Sequence, residues 1–334
     1  RCVVSGTCPP SVNSNAATLT FNSTPLVTAQ PANSTICAGS NTSFSVTATG
    51  LGITYQWQVS TDAGATWNNL ANGGIYTTVT TATLNLTAAS IAVHNNQYRC
   101  VVSGTCTPSA TSNAATLTID TAPAVTVQPA NSTICEGSNT SFSVTATGTA
   151  LTYQWQLSTD AGATWNNLAN GGIYTTVTTA TLNLTAATTA VNGNQYRCVV
   201  SGTCPPNVNS NAVTLTIDTK PVVTVNPVNS TICEGNNTLF SITATGTAIT
   251  YQWQVSTDAG ATWNNLANGG IYSTVTTATL NLTAATAAVH NNQYRCVVSG
   301  TCTPAATSTA ATLTIDTAPA ITAQPVNRTI CDGD

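Results

Sequence analysis

The chain has 334 residues, of which only 5% are charged, and its net charge is −4 at neutral pH. That balance offers no basic stripe for nucleic acid or an anionic membrane, and no apolar run approaches the ~20 residues of a membrane-spanning helix. The length suits two or three domains of about 100 residues, each able to bury its own core.

Self-comparison fixes the organisation. "RCVVSGTC" begins at Arg1, Arg99, Arg197 and Arg295, a step of 98 residues with no insertion. Cys37, Cys135, Cys233 and Cys331 keep the same step. A unit of this size is a globular bead, not a short solenoid repeat. Boundaries fall at "FNSTP", "IDTAP", "IDTKP" and "IDTAP", where Asp or Asn, Thr and Pro punctuate the chain. Residues 1–22 then finish one repeat, 23–121, 122–219 and 220–317 are complete repeats, and 318–334 supply the first strand of another. Because Arg1 opens on a motif internal to the later repeats, both ends are expected to be cuts through a longer polypeptide.

Within the first complete repeat, a strand is expected around Leu26 to Gln30. "TSFSVTATG" then puts Phe44, Val46 and Ala48 on one face. "ITYQWQVS" turns Ile53, Tyr55, Trp57 and Val59 inward and Thr54, Gln56 and Gln58 outward. A short strand near Trp67 follows, then "TATLNLT" with Leu84 and Leu86 inward. "QYRCVVSG" buries Tyr98, Cys100 and Val102, and "NAATLTID" buries Ala115, Leu117 and Ile119. A two-residue period sustained through seven or eight short strands describes an all-β sandwich.

Trp57 sits where an immunoglobulin domain buries a Trp on its third strand, and Tyr98-Arg99-Cys100 resembles the tyrosine corner with its Cys two residues later. With "YQWQ…YRCVVSGTC" in every copy, the chain resembles tandem immunoglobulin-like domains of large secreted or cell-surface proteins of Bacteroidota. The resemblance covers nearly every residue. It implies tandem immunoglobulin-like β-sandwiches arranged end to end, cores built on Trp57, Tyr98, Trp155, Tyr196, Trp253 and Tyr294, and an extracellular location. One departure stands out: Val46 occupies the position of the usual partner Cys.

"STDAGATW" at residues 60 to 67, repeated at Ser158 and Ser256, resembles the Asp-box of bacterial sialidases. Its chemistry suits a hairpin: Asp62 accepts backbone N–H groups, Gly64 takes a positive φ, and Trp67 packs over the turn. Asp160, Gly162, Trp165, Asp258, Gly260 and Trp263 repeat those roles. In the sialidases the box is structural, and the clustered arginines that hold a carboxylate substrate are missing here. His94 and His290 give way to Asn192 in the middle repeat, so no chemistry common to all repeats uses an imidazole; they read as solvent-facing loop residues. Glu136 and Asp218 fall at one pole and would offer calcium two carboxylates, fewer oxygens than such a site wants. No catalytic residue, cofactor or metal is assigned, and the repeats are read as non-enzymatic.

Three cysteines per repeat cannot all pair within one sandwich, and their spacing does not suit zinc. Twelve in all suggest an oxidising compartment. Cys37 is placed in the turn between the first two strands, at the pole where the chain leaves. Cys106 is at a hairpin tip at the other pole, beyond disulfide reach. Two pairings remain. Consecutive repeats are stapled through Cys37 with Cys204 and Cys135 with Cys302, leaving Cys100, Cys198 and Cys296 as buried thiols; or Cys37 pairs with Cys100 inside each repeat.

The leading functional expectation is a stiff stalk or filament segment, with neighbouring repeats, and copies of itself in a fibre, as partners. The alternative is an adhesin or carbohydrate-binding array contacting surface glycans through Trp67 or Tyr76. Asn33, Asn85 and Asn131 lie in N-x-S/T sequons. "DTA" at Asp120 and Asp316 resembles an O-glycosylation motif of Bacteroidota, which implies sugar on Thr121 and Thr317.

Overall fold

The structure, a computed structural model, describes residues 1–330 and 332; Cys331, last of the cysteine series, lies outside them. Residues 1–22 carry two short antiparallel strands, β1 (Val3–Val4) and β2 (Val12–Asn13). The first complete repeat contributes β3 (Leu26–Ala29), β4 (Ser34–Cys37), β5 (Ser40–Ser45), β6 (Thr47–Thr49), β7 (Thr54–Ser60) and β8 (Asn68–Asn69). It continues with β9 (Tyr76–Thr77), β10 (Thr83–Ala89), a 3-10 turn at Ile91–Val93, β11 (Gln97–Ser103), β12 (Ala110–Thr111) and β13 (Ala115–Asp120). The same elements recur in the next two repeats.

These strands form two faces of an all-β immunoglobulin-like sandwich. One sheet runs β4-β13-β11-β7-β8 with β12 beside β11; the other is β5-β10-β9. The register follows the apolar alternation: Cys100 lies opposite Trp57 on β7, and Leu84 opposite Phe44 on β5. A slip of one residue would turn every one of these side chains outward.

The first strand departs from the single strand expected at Leu26 to Gln30. β3 pairs with β6, and after Pro31 the chain crosses over so that β4 runs parallel to β13. Proline cannot donate to a ladder, so the crossing occurs where it interrupts pairing. Cys37 therefore closes a strand; it does not sit in a turn. No strand occurs in residues 318–330. In the first complete repeat the corresponding segment, β3, pairs with β6, and no such partner follows among the described residues.

The core holds Trp57, Tyr98, Phe44, Leu84, Leu86 and Leu117, all less than 2% exposed. Each large apolar side chain contributes roughly 1.5–3 kcal/mol by leaving water. Phe44 stacks on Tyr98 at 4.9 Å between ring centres. The buried indole of Trp57 would be costly without a partner; its Nε1–H donates to the Thr81 carbonyl at 2.9 Å. Trp155 and Trp253 donate equivalently to Thr179 and Thr277.

By contact density the chain falls into two compact units. The first comprises residues 1–128, 144–153 and 199–210, and so contains the first complete repeat and the linker that follows it. The second comprises residues 129–143, 154–198 and 211 onward, and contains the third repeat and the linker that precedes it.

Candidate functional site

The cysteine-bearing poles are the most constructed feature of the surface. Parallel pairing of β4 with β13 sets Cys37 opposite Asp120, and the Ala38 N–H donates to the Asp120 carbonyl at 2.8 Å. Cys37 is bonded to Cys204 of the following repeat, with Cα atoms 5.7 Å apart, not to Cys100. Beside the disulfide, the linker is fixed through its backbone. Thr149 N–H donates to the Thr121 carbonyl at 3.1 Å, and the Thr121 N–H donates to Thr149 Oγ1 at 2.9 Å. Gly202 is obligatory: a Cβ there would stand 2.8 Å from the Thr149 carbonyl oxygen and 3.1 Å from Pro123.

The second junction repeats the device. Cys135 is opposite Asp218 and bonded to Cys302, while Thr219 N–H donates to Thr247 Oγ1 at 2.9 Å. Cys135, Glu136, Lys220, Cys302 and Thr303 line a cavity of about 190 Å³. The Glu136 carboxylate accepts from the Thr189 N–H and hydroxyl at 3.3 Å. Its backbone N–H, not its side chain, meets Asp218. Among the described residues no three His, Cys, Asp or Glu side chains converge as a metal site. Cys100, Cys198 and Cys296 are buried, and burial pushes each thiol up to about 11.

The Asp-box residues form a closed hairpin. Ser60 Oγ donates to Asp62 at 2.6 Å, and Thr66 donates both its hydroxyl and its N–H to the same carboxylate. Gly64, at φ +93°, donates its N–H to Ser60 Oγ, and its carbonyl receives Trp67 Nε1–H at 3.0 Å. Ser60 first, then Thr66, holds the Asp62 carboxyl down at about 2. Asp160 and Asp258 are held at about 2 by Thr164 and Thr262 first. A carboxylate so engaged is a structural acceptor, poorly placed to exchange protons near neutrality.

Trp67 does not present a bare stacking face. The Arg99 guanidinium lies over its ring at 4.1 Å, and Arg99 Nε donates to Gln58, which donates in turn to Asn69, both at 2.8 Å. Arg197 covers Trp165, and Arg295 covers Trp263. Tyr76 is likewise engaged: its hydroxyl meets that of Tyr98 at 3.2 Å. The Tyr98 hydroxyl therefore pairs with a side chain 22 residues upstream, not with nearby backbone as a tyrosine corner implies. Burial pushes the Tyr98 phenol far above its ordinary range.

The loop histidines are exposed yet specific. His94 Nδ1 accepts the Ile119 N–H at 3.0 Å, and His290 does the same for Ile315. In the middle repeat Asn192 Oδ1 takes the Ile217 N–H at 2.8 Å. Imidazole and carboxamide are interchangeable acceptors here, which a comparison of side-chain chemistries alone did not reveal.

The outer face of the β5-β10-β9 sheet is different. Asn85 is opposite Ser43 on one side and Thr77 on the other, and their side chains make no hydrogen bond to the rest of the described chain. They line a groove of about 420 Å³, with counterparts of about 410 and 510 Å³ in the next two repeats. The third groove has Leu239, 56% exposed, where the others have Ser43 and Ser141. Asn33 and Asn131, in contrast, use Oδ1 to accept from Thr116 and Thr214 at 2.8 Å. Thr121 is half-buried at the first junction, and Thr317 is exposed. The sequence marked Asn85 only as part of a sequon and Gly202 only as part of a repeated motif; the row with Ser43 and Thr77, and the placement of Thr149 beside Gly202, depend on cross-strand and inter-repeat placement.

A domain-family model described as a domain of unknown function, DUF8696, matches residues 28–121, 124–219 and 224–317. Endoglucanase C of Cellulomonas fimi is 32% identical over 195 residues, covering 58% of this chain and 16% of its own length. The chain thus spans about a sixth of that relative. The I-band fragment I67-I69 from titin superposes with a TM-score of 0.60 at 16% identity, covering 88% of this chain and 99% of the fragment. An E-to-A mutated variant of the same three domains gives 0.59 at 17% identity, with the same coverage. At these identities the two structures show the fold alone, tandem immunoglobulin-like domains.

Proposed function

The chain belongs to the DUF8696 domain family, and we propose that its repeats form a load-bearing spacer, a stiff stalk or filament segment of a long extracellular surface protein. The observation that carries this reading is the disulfide between consecutive repeats, set beside a backbone-bonded linker. Two attachments at separate points resist bending and twisting; a single linker resists only separation. Pro123 and Pro221 stiffen the linkers further. Each disulfide spans 167 residues, which in the chain-entropy account contributes about 5 kcal/mol against unfolding. Disulfides of this kind are consistent with an oxidising, extracellular setting, and the resemblance to Bacteroidota surface repeats supports the same location. No catalysis is assigned to these repeats, since the Asp-box carboxylates are engaged in their hairpins.

Electron microscopy of oxidised and reduced chains tests the brace. The oxidised chain is expected to show a narrow spread of angles between successive repeats, and the reduced chain a broad one. Equal spreads in both states would remove the disulfides from this role.

The likeness to endoglucanase C supports a second reading, an array of weak carbohydrate contacts on a longer protein. The row of Ser43, Asn85 and Thr77 suits it better than Trp67, because its hydroxyls and carboxamide are unengaged and uncharged, as a neutral glycan requires. Binding to a neutral glycan array that Asn85→Ala with Asn183→Ala and Asn281→Ala abolishes, and Trp67→Ala leaves intact, would support this reading. Absence of any binding would count against it.

A further inference from the structure

The two disulfides overlap along the chain: Cys37 to Cys204 encloses Cys135, and Cys135 to Cys302 encloses Cys204. Interleaved cross-links behave differently from cross-links in series. Consider the chain pulled from its two ends until every repeat has unfolded. Tension entering at Cys37 crosses to Cys204, runs backwards along the chain to Cys135, and crosses to Cys302. The taut path is then about 137 peptide units, or about 480 Å at ~3.5 Å per unit. With either disulfide alone the path is about 166 units, or about 580 Å, whichever one remains. With neither it is about 333 units, or about 1,170 Å.

We infer that the interleaved disulfides form a fail-safe extension limiter, in which loss of one cross-link lengthens the chain by only about a fifth and loss of both is needed to release it. The inference deepens the spacer reading and rests on it. It adds a redundancy that a brace alone does not need. Cross-links closed within repeats, such as Cys37 to Cys100, would have no such property, because each encloses its own segment and each opening adds its full length. The distinction is purely topological and does not depend on the strength of any contact. The register supports it: each disulfide starts beside the strand that carries the linker, at Cys37 opposite Asp120 and Cys135 opposite Asp218. Tension therefore reaches both connections at the same end of the repeat.

Single-molecule stretching of the 334-residue chain between handles at its termini tests the inference. The oxidised wild type is expected to reach about 480 Å when fully extended. Cys135→Ser or Cys37→Ser alone is expected to reach about 580 Å. The Cys37→Ser/Cys135→Ser chain, and the wild type in phosphine reductant, are expected to reach about 1,170 Å. The reduced wild type guards against a double variant that fails to fold. A gain of about 220 Å from each single substitution, additive when the two are combined, would mean loops closed within repeats and would overturn the inference. Failure here leaves the bend-angle test of the spacer standing, and the reverse also holds.

Discussion

Cys37 and Asp120 are register partners across the parallel pairing of β4 with β13. The covalent staple and the peptide linker consequently leave the repeat from adjacent points on two hydrogen-bonded strands. Pulling on that pole draws both strands in the same direction, so the load is shared between them and does not slide Ser34 to Cys37 past Leu117 to Asp120. Cys135 and Asp218 repeat the arrangement, as do Cys233 and Asp316. The parallel pair is thus the place where sequence, local structure and the proposed mechanical role meet.

The Asp-box hairpins should loosen in acid. Asp62 is held at about 2, below its ordinary 3.8, by Ser60 and Thr66. A carboxyl with a depressed folded value stabilises fully above pH about 4, and that contribution fades as pH falls towards 2. Thermal melts between pH 6 and pH 2 are expected to show a falling acid limb. Changing Asp62, Asp160 and Asp258 together to Asn should lower the melting temperature at pH 6 and flatten that limb. An unchanged limb would show that these carboxylates do not govern it.

His94→Asn should be nearly neutral, because Asn192 already accepts the equivalent N–H in the next repeat. His94→Ala leaves the Ile119 N–H without its acceptor and should cost about 1 kcal/mol. Urea unfolding of the two variants beside the wild type measures the difference. Equal losses from Asn and Ala would mean that the imidazole contributes something other than an acceptor.

The strand thiols should resist alkylation in the folded chain. Burial raises Cys100 and Cys296 to about 11, so at pH 8 roughly one thiol in a thousand is ionised even before access is considered. Cys233 is exposed. Iodoacetamide followed by mass spectrometry is expected to label Cys233 quickly, and Cys100 and Cys296 only after unfolding. Rapid labelling of Cys100 in the native chain would place it outside the core.

Much of the fold was legible because the apolar alternation is clean. Trp57, Leu84, Tyr98 and Leu117 fall on the buried faces that a two-residue period assigns them. The crossing of the first strand was not legible, since "STIC" is too short to show a period and gains its meaning only from pairing with β13. The cover of Arg99 over Trp67 and the meeting of Tyr76 with Tyr98 join residues far apart in sequence, the second pair across the two sheets. They turn two apparent ligand-stacking aromatics into parts of the scaffold. The sequence left Cys37 with two partners, Cys204 or Cys100, and the choice depends on which poles of successive repeats meet.

Peptide mapping of the oxidised chain under non-reducing conditions tests the cross-linking of consecutive repeats most directly. The predicted species join the Cys37 peptide to the Cys204 peptide and the Cys135 peptide to the Cys302 peptide, with Cys100, Cys198 and Cys296 recovered as thiols. A Cys37 peptide joined to a Cys100 peptide would contradict the account.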